Sequence, residues 1–168
     1  HGGGHLAGSV EVYDPICRKI AYSARRIVVS VDYRLAPEHP YPAGLDDGVS
    51  VLDGCLGMFD RLGLNYLPRV ALVGDSAGGA MSATLAHRYQ TDPGLDIDKL
   101  VLIYPSLDYT LSSPSIDLLG TGYLLETNKI QWYFDQYFTN NEDLRAVSPL
   151  FMDIKDHFPQ TLVVTAGF

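Results

Sequence analysis

VALVGDSAGGAMSATLAHRY, residues 70–89, joins a β-branched run to a run of small and apolar residues across a G-x-S-x-G signature, Gly74-Asp75-Ser76-Ala77-Gly78. The short continuous apolar run suits a strand covered on both faces. The pattern from Ala77 to Tyr89 suits a helix, stopped by the turn Thr91-Asp92-Pro93-Gly94. A serine on the sharp turn between strand and helix is lifted above the sheet edge on a strained backbone. Glycines at 74 and 78 fit the steric demand, since a Cβ at either would strike a neighbouring strand or helix as the chain reverses. Gly79, Ala80, Ser82 and Ala83 are small enough to let that helix lie close to the sheet.

Three further β-branched runs share this character: Ile27 to Val31 (IVVSV), Leu100 to Tyr104 (LVLIY) and Thr161 to Ala166 (TLVVTA). Unbroken rather than alternating apolarity predicts a mostly parallel sheet flanked by helices, an α/β class. Asp14 and Pro15 suit an N-cap and a first helical position, followed by Ile16, Ile20 and Ala24 at four-residue spacing. Leu45, Val49, Leu52, Leu56 and Phe59 form one apolar stripe despite Gly48, Gly54 and Gly57. Each of those glycines costs a helix about 1 kcal/mol relative to alanine, so packing must hold it. After Tyr104 the alternation breaks. Pro105 to Gly122 is rich in Ser, Pro and Gly, and Asn128 to Phe138 (NKIQWYFDQYF) places five aromatics on one predicted helix. Residues 106–147 are read as an excursion over the top of the sheet, on the side where a substrate-shaping cap would sit. Its aromatics, Trp132 to Phe138, suit either a pocket wall or ordinary core.

The 168 residues are 46% hydrophobic and 19% charged, enough apolar surface for one core and one domain. A formal net charge of -8 with twelve scattered Lys and Arg offers no basic face for phosphates, which argues against nucleic acid as a partner. No apolar run approaches the ~20 residues needed to cross a bilayer, and there is no internal repeat. Cys17 and Cys55 stand far apart without metal-ligand spacing, so both are expected as buried thiols. No metal or cofactor is implied.

A serine hydroxyl attacks a carbonyl when a base takes its proton and donors hold the resulting oxyanion. The Ala77 N–H, at the positive end of the helix, suits one donor. HGGG, His1 to Gly4, suits the others, because glycine lets backbone N–H groups point into a cleft that a side chain would block. The downstream histidines do not suit the base. His87 lies inside the helix after the turn and faces away from the cleft, and His157 precedes the last strand at its wrong end. Asp108 and Asp117 follow the preceding strand and are left out of the site.

HGGGHLAGS (His1 to Ser9), DYRLAPEHPYPA (Asp32 to Ala43), GDSAGG (Gly74 to Gly79) and LIYPSLD (Leu102 to Asp108) resemble, in order, the motif series of the hormone-sensitive-lipase-like esterases, the bacterial family IV lipolytic enzymes. Asp75 before the serine is similar to the larger of two commonly distinguished subgroups. The resemblance covers essentially the full chain. It implies an α/β-hydrolase fold and a carboxylesterase acting on short to medium acyl esters through an acyl-serine, without a cofactor. By it, Ser76 is the nucleophile, and Gly3, Gly4 and Ala77 form the oxyanion hole. It also implies a bacterial, cytoplasmic enzyme. Plant gibberellin receptors resemble the same family but bind a small acid without turnover, and serine peptidases share the fold, so both stand as alternatives. DYRLAPEHPYPA carries no nucleophile and is read as structural, with Arg34 and either Glu38 or Asp32 tying it to the glycine loop.

In the resembled family the catalytic acid follows the strand equivalent to TLVVTAGF, and the base lies beyond one more strand. Neither is then expected within the chain, which reads as an internal segment: one partial domain over residues 1–168, incomplete at both ends and inactive when expressed alone. The strand that precedes HGGG in that fold lies between Ile27 to Val31 and Val70 to Val73, so both are expected to present unpaired edges.

Overall fold

Three parallel strands carry the fold in the computed structural model, which describes residues 1–167. They are β1 (Arg69–Asp75), β2 (Asp96–Ile103) and β3 (Gln160–Val164), in spatial order β1-β2-β3. Both pairings are parallel, as the unbroken apolar runs predict, but β3 is exposed along its length rather than covered on both faces. β2 begins at Asp96 rather than Leu100 because β1 offers it a ladder partner from Arg69 onward. An irregularity between Val70 and Ala71 leaves Asp98 out of that register. Phe168, the last residue of the TAGF stretch, lies outside the described residues.

The run Ile27 to Val31 enters no sheet, contrary to expectation, and Ile27 and Val29 are exposed. β-Branching favours a strand, but a strand exists only where a neighbour takes up its N–H and C=O groups. No strand lies beside this run among the described residues, and β1 is paired along one edge only.

The helices are α1 (Val10–Ala24), α2 (Ala43–Arg61), α3 (Ser76–Tyr89), α4 (Pro114–Leu118), α5 (Thr127–Tyr137) and α6 (Leu144–Val147). α1 starts earlier than Asp14-Pro15 suggests. Ser9 is the N-cap, extended at φ -160°, its Oγ accepting the Val12 N–H at 3.4 Å, and Pro15 falls inside the helix. A competent cap upstream therefore sets the boundary, and Asp14 pairs with Arg18 one turn on instead. α1 buries no residue, which leaves Cys17 half-buried rather than buried; Cys55, on the inner face of α2, is buried.

The predicted stripe of α2 does face inward. Leu45 and Leu52 join Leu85, Tyr89, Leu95 and Ile97 in one core cluster, with Val49 and Leu56 packed against it. α3 is buried along most of its length between this cluster and the sheet, where Ala83 and Ala86 meet Leu100 and Leu102. A Cβ on Gly79 would lie 2.8 Å from the Pro105 Cβ, so the small face of α3 is what allows the close approach. α5 meets α3 at Ala80, where its Phe134 packs together with Tyr109. Arg34 pairs with neither Glu38 nor Asp32. Its guanidinium and its N–H both meet Asp47 on α2, at 2.8 to 3.0 Å, because that carboxylate sits where backbone and side chain of Arg34 can reach it together.

Candidate active site

Ser76 stands at the carboxyl end of β1 with φ +50°, in the left-handed region that non-glycine residues seldom occupy. Asp75 before it is extended, and α3 begins at Ser76, so the chain reverses within a single residue. Gly74 is required by that reversal: a Cβ there would lie 2.2 Å from the Gly78 carbonyl oxygen. The Ser106 N–H donates to the Ser76 carbonyl at 3.1 Å and ties the turn to the segment after β2.

The glycine loop is held against this turn by its first two residues. A Cβ on Gly78 would lie 2.7 Å from the His1 carbonyl oxygen, so loop backbone packs on the first turn of α3. The Gly2 N–H donates to Asp75 Oδ1 at 2.8 Å, and the Tyr13 hydroxyl of α1 donates to Asp75 Oδ2 at 2.8 Å. The same Gly2 N–H reaches the Tyr13 oxygen at 3.1 Å and closes a three-membered network. Burial, then the hydrogen bond to Asp75, push the Tyr13 hydroxyl up to about 12, so it remains a donor. On the other side the Tyr33 hydroxyl donates to the His1 carbonyl at 2.7 Å, and the two rings stack at 4.3 Å.

The contacts of His1 with Gly78 and of Gly2 with Asp75 thus set the loop that carries Gly3 and Gly4 beside the turn that carries Ser76 and Ala77, at the carboxyl end of β1, where ligands bind in open parallel sheets. The N–H groups of Gly3, Gly4 and Ala77 donate to no acceptor among the described residues. Gly3 and Gly4 have φ of +122° and +62°. Two of the three donors therefore depend on backbone conformations that glycine adopts without strain. No hydrogen bond engages the Ser76 hydroxyl among the described residues, from any of the five histidines or from another side chain.

His157 lies beside Tyr89 and Pro159, lining a cavity of about 380 Å³ at the amino ends of β2 and β3, opposite Ser76. Asp108 is saturated internally: its carboxylate accepts the backbone N–H and hydroxyl groups of both Thr110 and Ser112. Burial alone would raise its pKa, and these four bonds outweigh that and hold it below the ordinary carboxylate value. On α5, Phe134 and Tyr137 are buried, whereas Trp132 is half exposed and lines a surface groove of about 550 Å³ with Tyr123, Leu124 and Lys129. Tyr133 stands between these roles. A Cβ on Gly4 would lie 2.6 Å from its Cδ1, so this ring rests directly on the glycine loop. No cluster of His, Cys, Asp or Glu suited to a metal occurs among the described residues, and no helix among them is long and apolar enough to cross a membrane.

Sequence reasoning missed the Asp75, Tyr13 and Tyr33 contacts that fix the loop. One signal was available. Asp75 occupies the N-cap of a helix, a position where its side chain would ordinarily accept from the first turn, and here it makes no such bond and serves the loop instead.

A strained serine turn facing a glycine loop over parallel strands marks the alpha/beta hydrolase class. The chain belongs to the family of the alpha/beta hydrolase fold, which matches it over residues 1–168. It is 34% identical over 169 residues to ethyl acetate hydrolase of Pseudomonas putida, covering 99% of this chain and 53% of that protein. The structure of a hyperthermophilic esterase from the archaeon Pyrobaculum calidifontis superposes with a TM-score of 0.89 at 36% identity, covering 99% of this chain and 54% of that one. A gibberellin receptor of Arabidopsis thaliana is 31% identical over 176 residues, covering 99% of this chain and 49% of the receptor. The chain spans about half the length of the curated relatives it matches.

Proposed function

We propose that the whole protein is a carboxylesterase that hydrolyses short to medium acyl esters through an acyl-serine. Ser76 attacks the ester carbonyl, and the N–H groups of Gly3, Gly4 and Ala77 hold the negative charge that develops on its oxygen. The alcohol leaves, water attacks the acyl-serine, and the acid is released with Ser76 restored. The acid and base that move these protons follow the TLVVTAGF strand, by the family resemblance. The observation that supports this reading is the Asp75 to Gly2 bond at 2.8 Å, which joins the residue before Ser76 to the first glycine of the HGGG loop. Ethyl acetate hydrolase among the relatives supports a small ester as substrate. Residues 106–147 form the cap-side segment, supported by the packing of Tyr133 on Gly4. A cytoplasmic location is proposed on the family resemblance.

A second reading, binding without turnover, is favoured by the similarity to a gibberellin receptor. Assay of the whole protein with p-nitrophenyl butyrate and with a peptide p-nitroanilide separates the readings. Ester turnover abolished by Ser76→Ala is the expected result. Turnover of the anilide alone identifies a peptidase, and absence of both identifies a binding protein.

A further inference from the structure

His5 follows the two donor glycines directly, and its side chain is 1% exposed. Its ring lies flat on Tyr137 of α5, with centroids 3.8 Å apart and planes parallel. Its Nε2 is 3.2 Å from the hydroxyl of Tyr109, which belongs to the segment between β2 and α4. Its carbonyl accepts the Ala36 N–H at 3.0 Å, from the proline-rich segment. Three separate parts of the fold therefore converge on one residue. His5 itself sits at φ +67°, a conformation that a side-chain-bearing residue keeps only when its surroundings hold it there. Its Nδ1 is buried without a partner among the described residues. An apolar residue would fill this space without leaving an unpaired polar atom, so packing alone does not account for a histidine here.

The glycine loop is thus pinned on both sides of its donors. Gly2 is bound by Asp75, His5 is bound by Tyr109, Tyr137 and Ala36, and only Gly3 and Gly4 lie between. We propose that His5 is a positioning residue which, through its ring contacts with Tyr109 and Tyr137, sets the direction of the Gly3 and Gly4 N–H groups toward the oxyanion. This role rests on the reading of Ser76 and the loop as an ester-hydrolysing site. Donors of this kind act only when aimed at the position the oxyanion will occupy, so a small shift of the loop lowers the rate without altering substrate binding.

The test measures kcat and KM of the whole protein for p-nitrophenyl butyrate in four variants. His5→Ala is expected to lower kcat by about 30-fold with KM within about threefold of wild type. His5→Gln, whose amide reaches the position of Nε2, is expected to recover most of that loss. Tyr109→Phe, which removes only the hydroxyl, is expected to lower kcat by about threefold or more. Phe59→Ala, buried near the carboxyl end of α2, is the stability control, expected to lower the melting temperature while leaving kcat within about twofold. A folded His5→Ala with kcat no lower than the Phe59→Ala control overturns the proposal. Where His5→Ala does not fold, Tyr109→Phe decides: reduced kcat at constant KM supports the role, and unchanged kcat overturns it. A wild-type protein without Ser76-dependent turnover overturns the esterase reading itself and this role with it.

Discussion

The Asp75 carboxylate accepts the Gly2 N–H at 2.8 Å, so the residue preceding Ser76 also anchors the glycine loop. A Cβ on Gly2 would lie 2.4 Å from Asp75 Oδ2, which means the bond can form only because that position is bare. Tyr13 brings α1 into the same contact, and through it a helix that buries no residue of its own is held at the site. The Ser76 turn, the glycine loop and α1 are thereby joined through one carboxylate.

Ser76→Ala in the whole protein removes the attacking atom and leaves the donors in place. Hydrolysis of p-nitrophenyl butyrate is expected to fall by about 10³-fold or more, to the residue supplied by binding and the oxyanion donors. A fall of less than about tenfold in kcat would exclude Ser76 as the nucleophile.

Gly3→Ala places a Cβ 2.0 Å from the Ala7 carbonyl oxygen, and Gly4→Ala places one 2.6 Å from Tyr133 Cδ1. Both also force alanine into positive φ. Either change should misdirect a donor and lower kcat by about 10²-fold, and steady-state kinetics on both variants checks this. Unchanged kcat in both would remove the loop from the mechanism.

Asp75→Asn keeps one oxygen acceptor but turns an NH₂ group toward one of the two donors. Loss of that anchor is expected to lower kcat by about tenfold with little change in KM, since Ser76 is untouched. Tyr13→Phe removes one hydrogen bond of the same network and should cost about 0.5 to 1.5 kcal/mol of stability, read from a denaturant titration.

Burial pushes His5 from its ordinary value of 6.5 down to about 3. The unfolded chain therefore takes up this proton first as pH falls. The contribution of neutral, buried His5 is complete above about pH 6.5 and is lost progressively toward pH 3. The tyrosines that face it, Tyr109 and Tyr137, are shifted upward by burial and keep their protons throughout. Asp47 and Asp108, held below the ordinary carboxylate range, act only below about pH 4. Melting temperatures between pH 7.5 and 5 should decline in wild type and decline less in His5→Gln. Parallel profiles would show that His5 does not govern this window.

Phe134 is 4% exposed and Trp132, two residues earlier on α5, is 53% exposed. Phe134→Ala should cost about 3 to 5 kcal/mol of stability, whereas Trp132→Ala should cost under about 1 kcal/mol. Equal losses in denaturant titrations would contradict this division of the helix into a core face and a groove face.

Much of this was written locally in the chain. The continuous apolar runs at 70–74, 100–104 and 161–166 predict parallel strands because a strand covered on both faces has no polar side to alternate with. The stripe from Leu45 to Phe59 predicts α2, since one face of a helix repeats every three to four residues. Gly74, Ser76 and Gly78 predict the sharp turn because the backbone it needs is available only to that spacing of small residues. What holds the site together was not legible in this way. Asp75 meets Gly2 across 73 positions and Tyr109 meets His5 across 104, and no periodicity or turn rule relates residues so far apart. Arg34 has Asp32 and Glu38 near it in sequence, and only the placement of α2 selected Asp47. The β-branched residues from Ile27 to Val31 made no strand, because a ladder is a property of two segments side by side and not of one. The sequence alone determined where the strained serine turn lies and which segments can form its strand and helices. The tertiary structure decided which side chains converge on the glycine loop, because those contacts exist only once distant segments have been packed against one another.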